Sequence, residues 1–300
     1  MQPVLHSVSY AGVWPGHSAL SVDDFLMKAV ELGFASVALV AKRPHVSPLD
    51  YDAEARTRLK ARLAELGLEL SCLMGYTDFT AGLDRAGIPS AEMNAAYVGV
   101  LSKLAADLGT KRLRIFTAYE RQGITYDAQY SELVKGLRMA AREAEQHGIT
   151  LVLQNHHDIA AHHQQFAWLL EEINAPNLRA AFDAWAPCLQ GVNGTQLEDA
   201  VHALGPWLEF TTVADYQVQM RFHYDPHRVN YVQENSALVR AVPAGEGVID
   251  YKSFFAGLRR AGYNGPVAYE MCAVLKGGGS IENLDRAARK FLTFMKRMDS

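Results

Sequence analysis

The chain has 300 residues, of which 49% are hydrophobic and 21% are charged, and its formal net charge at pH 7 is −4. This length and apolar content are typical of one large domain with a sizeable core. Lysine and arginine are dispersed along the chain and form no basic stripe. This argues against a nucleic-acid-binding surface, so we expect no nucleic-acid partner and favour a small-molecule substrate.

The three cysteines, Cys72, Cys188 and Cys272, are odd in number and lack C-x-x-C spacing. Neither a disulfide framework nor a thiolate zinc site is therefore indicated, and a cytoplasmic location is expected. No segment reaches about 18 consecutive apolar residues, and the N-terminus lacks a basic region followed by a long apolar run. We therefore expect no membrane association.

Strands and helices are predicted to alternate along the whole chain. The first strand is predicted at residues 4–10, and Ser21 begins a helix that ends at Gly33. Seven later apolar runs have the length of buried strands, and they lie at residues 36–41, 68–74, 112–117, 150–154, 179–182, 208–213 and 267–269. Helices are predicted at residues 50–66, 90–108, 127–147, 162–173 and 195–204, then from Asp250, and last at 280–295. Eight such units predict an α/β fold, a closed (β/α)8 TIM barrel that forms a single domain over residues 1–300.

An open doubly wound sheet is the competing architecture. It normally has a Gly-rich phosphate-binding turn after its first strand. Residues 9–14 read Ser-Tyr-Ala-Gly-Val-Trp, which is not such a turn. The regular alternation of strands and helices therefore favours the barrel.

One connection, residues 214–241 after the seventh strand, is unusually long. It carries several aromatic residues and two histidines, His223 and His227. A loop of this length in a compact domain more often covers or binds something than stays disordered. We expect it to close over the mouth of the barrel or to contact a neighbouring subunit, in which case the protein would be a homo-oligomer.

Polar side chains follow most of the predicted strands, and in a barrel these positions surround one pocket. The candidates for substrate binding are Lys42, Arg43, Glu120, Trp185 and, from the long loop, His223. Basic groups suit an anionic or hydroxyl-rich substrate, and an indole can stack on a sugar. The structural alternatives are a solvated turn for the basic pair and core packing for the tryptophan.

Two acids, Asp183 and Glu270, directly follow apolar strands. Such an acid is expensive to bury unless it is paired or bound to a metal, which favours a functional site at both positions over a salt bridge or a turn cap. His156, after the fifth strand, and His45, after the second, are the candidate histidines for acid–base chemistry.

Residues 245–270 carry the most specific pattern. They read G-x-G-x-I-D, then a helix, then G-Y-x-G and a strand ending in Glu270. This order resembles the last βα unit of the sugar isomerase and epimerase family of xylose-isomerase-like barrels. The fifth strand, ending in Gln154 before Asn-His, and the sixth, ending in Phe before Asp183, resemble the same family. Residues 269–279 look closer to its branch of keto-sugar lyases and C-glycoside-cleaving barrel subunits.

The resemblance implies a divalent metal ion held by Gln154, Asp183, Thr212 and Glu270. Carboxylate and amide oxygens suit Mn²⁺ first, with Mg²⁺ and Co²⁺ as alternatives. Two positions depart from the family: Gln154 stands where Glu is usual, and Thr212 stands where His is usual, three residues before Asp215. An amide oxygen can coordinate a cation but cannot act as a base.

The resemblance implies a small-molecule carbohydrate substrate and an isomerase or epimerase that acts beside the carbonyl of a sugar, keto-sugar or related polyol through an enediolate. Glu270 would be the base, and His156 or His45 would replace the second carboxylate that Gln154 cannot supply. Two alternatives stay open. One is a lyase or dehydratase that expels a β-leaving group from a keto-sugar, and the other is a non-catalytic sugar-binding barrel.

Overall fold

The computed structural model describes residues 1–85 and 87–299. Its strands in chain order are β1 (Gln2–His6), β2 (Ser36–Val40), β3 (Glu69–Met74), β4 (Arg112–Phe116), β5 (Thr150–Gln154), β6 (Leu178–Ala181), β7 (Leu208–Val213), β8 (Asp215–Gln219), β9 (Phe222–Asp225), β10 (Asn230–Gln233), β11 (Leu238–Val242) and β12 (Pro266–Tyr269). Eight of these close a barrel in the order β1-β12-β7-β6-β5-β4-β3-β2, and all neighbours in it are parallel. This confirms the predicted (β/α)8 barrel.

Helices cover the outside of the barrel and connect its strands. In chain order they are α1 (Val22–Leu32), α2 (Ala53–Glu65), α3 (Ser90–Leu108), α4 (Tyr126–Glu145), α5 (His163–Ile173), α6 (Trp185–Leu189), α7 (Thr195–Ala203), α8 (Tyr251–Arg260) and α9 (Ile281–Asp299). Helix α1 starts as predicted, because the Ser21 side chain accepts the Asp24 N–H, and it ends at Gly33 with φ of 90°. The short helix α6 was not predicted. None of the helices in the described ranges is long and apolar enough to cross a membrane.

The first strand is shorter than predicted. It ends at His6, and Ser7–Tyr10 form a 3₁₀ turn. The turn forms because the His6 ring accepts the Val8 N–H, while the Ser7 hydroxyl accepts the Val40 N–H from β2. His6 is therefore the last residue of β1 and lies at the mouth of the barrel.

The barrel interior is filled by side chains that alternate along each strand. Its apolar members are Val4, Ala38, Cys72, Met74, Val152, Ala181, Phe210 and Ala268. Arg114 lies beside Val152 in the β4–β5 register, so its side chain also enters the interior, where it is fully buried. A buried arginine among apolar residues needs a specific partner, and the side chain of Gln154 supplies one.

The connection at residues 214–241 was predicted to be a loop, but it forms a β-arm. Strand β8 pairs with β11 and β9 pairs with β10, both antiparallel. Pairing occurs because a long segment satisfies its backbone N–H and C=O groups better in a ladder than in an irregular loop. Tyr224 and Tyr231 face each other across the outer ribbon and are both exposed.

Asp215, at the base of the arm, fastens the arm to the Gly-rich turn that follows it. Its carboxylate accepts four backbone N–H groups, those of Tyr216, Gly245, Gly247 and Ile249. A Cβ at Gly247 would lie 2.0 Å from an Asp215 oxygen, so the turn requires glycine there. The G-x-G-x-I pattern thus has a structural use.

We expect Asp215→Asn to lower the free energy of unfolding by about 3 kcal/mol, because an amide cannot accept all four N–H groups and leaves buried donors unpaired. Urea unfolding measures this loss. Asp225→Asn is the matched control, since Asp225 lies on the exposed outer ribbon, where its carboxylate accepts one backbone N–H, from His227, and pairs with the exposed Arg228. A similar loss in both variants would contradict the assignment.

Candidate active site

The carboxyl ends of the barrel strands surround a cavity of about 570 Å³. This is within the usual size of a small-molecule pocket. Lys42, Tyr76, Phe116, His156 and Glu270 are among the residues that line it. The cavity combines apolar rings with a few charged groups, as expected of a site for a polar organic ligand.

A second space of about 20 Å³ adjoins the cavity and shares His156, Glu270 and Cys272 with it. Its other walls include Gln154, Asp183, Trp185 and Thr212. The space is large enough for about one water molecule. The fold therefore brings together the four side chains that the resemblance named as metal ligands.

Glu270 follows β12 and lies between the two spaces. Its backbone N–H donates to Val213, which fixes the chain at the strand end, and the residue is only 8% exposed. The nearest basic group is the His6 Nε2, which lies 3.8 Å from the Glu270 Oε1, longer than a hydrogen bond. The carboxylate therefore keeps lone pairs free to accept a proton from a ligand.

His6 is a site residue that the sequence analysis missed, because it was placed inside a longer first strand. Its Nδ1 accepts the Val8 N–H, so the neutral ring carries its proton on Nε2, the atom nearest Glu270. Burial, and next the charge of Arg114, lower the pKa of His6 well below its usual value. His6 therefore places a neutral N–H group near the Glu270 carboxylate.

Gln154 is the centre of a buried hydrogen-bond network. Its Oε1 accepts from the Arg114 Nη1 at 2.9 Å. Its Nε2 donates to the Asp183 Oδ2 at 2.8 Å and to the Thr212 Oγ1 at 3.2 Å. The other Asp183 oxygen accepts the Trp185 N–H. Burial raises the pKa of Asp183, and the Gln154 hydrogen bond partly opposes this.

These side chains do not fit the divalent ion that the resemblance implied. An ion at their centre would need the amide oxygen of Gln154, but the amide presents its NH₂ group to Asp183 and Thr212. Within residues 1–85 and 87–299, no group of three or more His, Cys, Asp or Glu side chains is arranged to hold a metal.

Two cations lie against the ring of Tyr76. The sequence analysis did not name Tyr76 as a site residue. The Lys42 Nζ is 3.7 Å from the ring centre, and the Arg114 guanidinium carbon is 4.8 Å from it. The same carbon is 3.8 Å from the ring centre of Phe116. Burial, and next the charge of Arg114, lower the pKa of Lys42, whereas Glu270 raises it. Lys42 is the cation of this pair that lines the cavity.

His156 lines both spaces, in agreement with its predicted place. Its Nδ1 accepts the His157 N–H at 2.8 Å, so the neutral ring carries its proton on Nε2. His157 stacks on Tyr119, and burial lowers the pKa of His157 to about 3. His156 is therefore the histidine of this pair that lines both spaces and carries its N–H on Nε2.

His45, a predicted acid–base group, lies away from the cavity lining. The residue is buried, and its ring nitrogens are hydrogen-bonded to the Ser7 hydroxyl and the Leu20 carbonyl. It holds the turn after β1 against the segment before α1. The structure therefore corrects the catalytic prediction for His45 to a structural one.

Three predicted substrate-binding residues also lie outside the cavity lining. Arg43 forms an exposed ion pair with Asp50, and Glu120 is exposed at the rim. His223 pairs with Glu234 across the outer ribbon of the arm. All three are exposed or lie at the surface, and Arg43 and His223 are paired there with other residues, so the structure gives none of them a place at the cavity.

The other two predicted substrate-binding residues, Trp185 and Lys42, do lie at the site. Trp185 packs on Tyr216 with ring centres 4.0 Å apart and lines the smaller space, and Lys42 lines the larger one. Tyr216 is at the base of the arm, so only this inner end of the arm reaches the two spaces. Neither closure of the mouth nor contact with a second subunit is tested by these contacts, and both stay predictions.

A closed parallel barrel with acids and cations gathered at one end defines a TIM barrel with its site at the strands' carboxyl ends. Residues 26–298 match the xylose isomerase-like TIM barrel family, and the chain belongs to that family. The resemblance inferred from the sequence is therefore confirmed.

Named proteins similar to this chain include epimerases. A ketose 3-epimerase of Arthrobacter globiformis is 27% identical over 270 residues, which cover 86% of this chain and 80% of that protein. The solved D-psicose 3-epimerase of Clostridium cellulolyticum H10, with D-tagatose, has a TM-score of 0.74 at 17% identity and covers 99% of both chains. The structure of the probable 3-DHS dehydratase AsbF of Bacillus anthracis has a TM-score of 0.70 at 19% identity and covers 98% of this chain and 99% of its own. At these identities the two structures establish the shared fold alone.

Proposed function

We propose that this protein is a sugar isomerase or epimerase that removes the proton beside a carbonyl, with Glu270 as the base. The observation that carries the proposal is the Glu270 carboxylate, which lies between the 570 Å³ cavity and the smaller space and has no short ion pair among the described residues. The ketose 3-epimerase relative supports an enzyme of this class.

The cavity provides what a carbohydrate needs. The rings of Tyr76 and Phe116 offer apolar surface to the C–H groups of a sugar, and the Lys42 ammonium offers a donor to its oxygens. When Glu270 takes the proton, negative charge develops on the carbonyl oxygen. The Lys42 ammonium stabilises that charge, because the attraction between a fixed cation and an oxyanion is stronger in a partly desolvated site than in water.

Proton return to the opposite face needs a second group. Gln154 cannot supply it, since an amide is not a base at neutral pH. His156 lines both spaces and carries a proton on Nε2 in its neutral form. We assign the second proton transfer to His156, one of the two histidines that the sequence analysis proposed for it.

A lyase is the second candidate, and a specific observation favours it. Of the two acids at the site, Asp183 is held by Gln154 and by the Trp185 N–H, which leaves Glu270 as the carboxylate free to act as a base. Elimination of a β-leaving group needs one base and one acid, so it fits this arrangement as well. A dehydratase shares the fold.

Incubation in deuterated water separates the alternatives. With plain ketoses, we expect deuterium at the carbon beside the carbonyl and a new epimer, followed by NMR and mass spectrometry. A shortened product from a 3-keto-glucoside would instead identify the lyase. Absence of exchange and of product on all of these sugars, together with measurable sugar binding, would contradict both enzymes and favour the non-catalytic barrel.

A further inference from the structure

We propose that Arg114 and Gln154 together take the place of a divalent cation at the mouth of this barrel, so that the protein neither needs nor binds a divalent ion there. The positive charge for a substrate oxyanion then comes from Lys42, which lines the cavity, and from the buried guanidinium of Arg114. Exclusion of the ion follows from the donor set of the site, whereas the role of the two cations rests on the proposed function.

The orientation of the Gln154 amide is fixed by its partner. An amide can in general be turned by 180°, which exchanges its oxygen and nitrogen. Here the partner is Arg114, and a guanidinium has only donors, so the amide oxygen has to face it. The NH₂ group is then left for Asp183 and Thr212. The amide thus donates hydrogen bonds where a metal would need a lone pair.

Both carboxylate oxygens of Asp183 also accept hydrogen bonds from other groups. One of its oxygens accepts from the Gln154 NH₂, and the other accepts the Trp185 N–H. A divalent ion would have to compete with these donors for the carboxylate. Of the four side chains at the smaller space, Glu270 alone is a carboxylate outside this network.

The charges at the site already balance. The two carboxylates, Asp183 and Glu270, are matched by the two cations, Lys42 and Arg114. A divalent ion would add two uncompensated positive charges in a region where Arg114 is fully buried and both acids are 8% exposed. Burying unpaired charge is strongly unfavourable, so the resident cations disfavour a metal.

The buried side chain of Arg114 is only partly hydrogen-bonded. Its Nε and Nη2 are buried without a hydrogen-bond partner, as is the His6 Nε2. Leaving donors unpaired costs stability, and the arginine sits between aromatic rings that favour a cation but do not satisfy its N–H groups. Such an arrangement has a clear use if the charge itself is needed, to support the negative charge that develops on a ligand oxygen. Arg114 lines neither space, so it supports that charge through the electrostatic field of its guanidinium and not by contact with the ligand.

The first test uses the wild-type protein and needs no substitution. The protein is treated with a chelator, dialysed against Mn²⁺ and then against metal-free buffer, and its Mn²⁺ content is measured by elemental analysis and its affinity by calorimetry. We expect far less than one ion per chain and an unchanged melting temperature after chelation. About one tightly bound ion per chain, lost in Asp183→Asn, would overturn the proposal.

The second test restores a metal site. The double variant Arg114→Met with Gln154→Glu removes the guanidinium and adds a third carboxylate, and we expect it to bind Mn²⁺ at least about 100-fold more tightly than wild type. Gln154→Glu alone is the matched control, because Arg114 would pair with the new carboxylate and keep it from the metal. Equal Mn²⁺ affinity in the single and double variants, or no gain in a folded double variant, would show that Arg114 does not exclude the ion.

These measurements report binding and not turnover. If the wild-type protein binds Mn²⁺, the proposal about Arg114 fails while the assignment of Glu270 as the base still stands. If the protein exchanges no proton on any ketose, the reaction is wrong but the metal content remains informative. The two failures are therefore distinguishable.

Discussion

Glu270→Gln is expected to lower kcat by about 10³-fold, because the amide cannot accept the proton that the carboxylate removes. The substitution conserves shape, and the backbone N–H of residue 270 still donates to Val213. The folded structure and the melting temperature should therefore change little. Steady-state turnover and deuterium exchange on the preferred ketose measure the loss.

Glu69→Gln is the matched control for this variant. Glu69 begins β3 at the opposite end of the barrel, where it is exposed and accepts from the Gln2 side chain. We expect wild-type turnover from it. Substantial exchange in Glu270→Gln would remove Glu270 as the base, and His156 would then be the next group to replace.

The barrel and the location of its site were accessible from the sequence because both follow from short-range patterns. Apolar runs of strand length, separated by helical spacing, define the eight units. The carboxyl ends of parallel strands meet at one end of a barrel, so side chains after different strands must lie near one another. Asp183 and Glu270 were located by this rule without any knowledge of their distances.

The partners of these residues could not be predicted in the same way. Arg114 lies in the middle of a strand, where an interior position normally holds an apolar side chain, and its partner Gln154 is 40 residues away. The orientation of the Gln154 amide depends on that contact and not on any local pattern. The ligand set inferred from the resemblance therefore named the right neighbours but missed the direction of their hydrogen bonds.

The end of the first strand illustrates a second limit. An apolar run at residues 4–10 predicted a strand throughout, but the His6 ring and the Ser7 hydroxyl accept backbone N–H groups and turn the chain after His6. Such side-chain-to-backbone hydrogen bonds compete with strand pairing. The arm shows the opposite case, in which pairing forms without a local signal. The paired residues of β8 and β11 are separated by 19 residues at Gln219 and Leu238 and by 27 at Asp215 and Val242, and they carry no turn signal of the usual hairpin type.

Lys42 and its neighbour Arg43 show how sharply adjacent residues can differ. Both are basic and both follow β2, so the same substrate-binding role was predicted for the two residues. Lys42 lies on Tyr76 and lines the cavity, whereas Arg43 extends to the surface and pairs with Asp50. The difference makes Arg43 a control of equal charge for substitutions of Lys42.

We expect Lys42→Met to lower kcat by about 10²-fold, because it removes the ammonium that stabilises the developing oxyanion, while Arg43→Met leaves kcat near the wild-type value. Burial and Arg114 lower the pKa of Lys42. The protonated form is the active one, so activity should fall as the pH rises through that lowered pKa. Lys42→Arg should retain its charge and move this alkaline limb to higher pH. A pH–kcat profile of the four proteins measures both effects, and an alkaline limb unchanged in Lys42→Arg would assign it to another group.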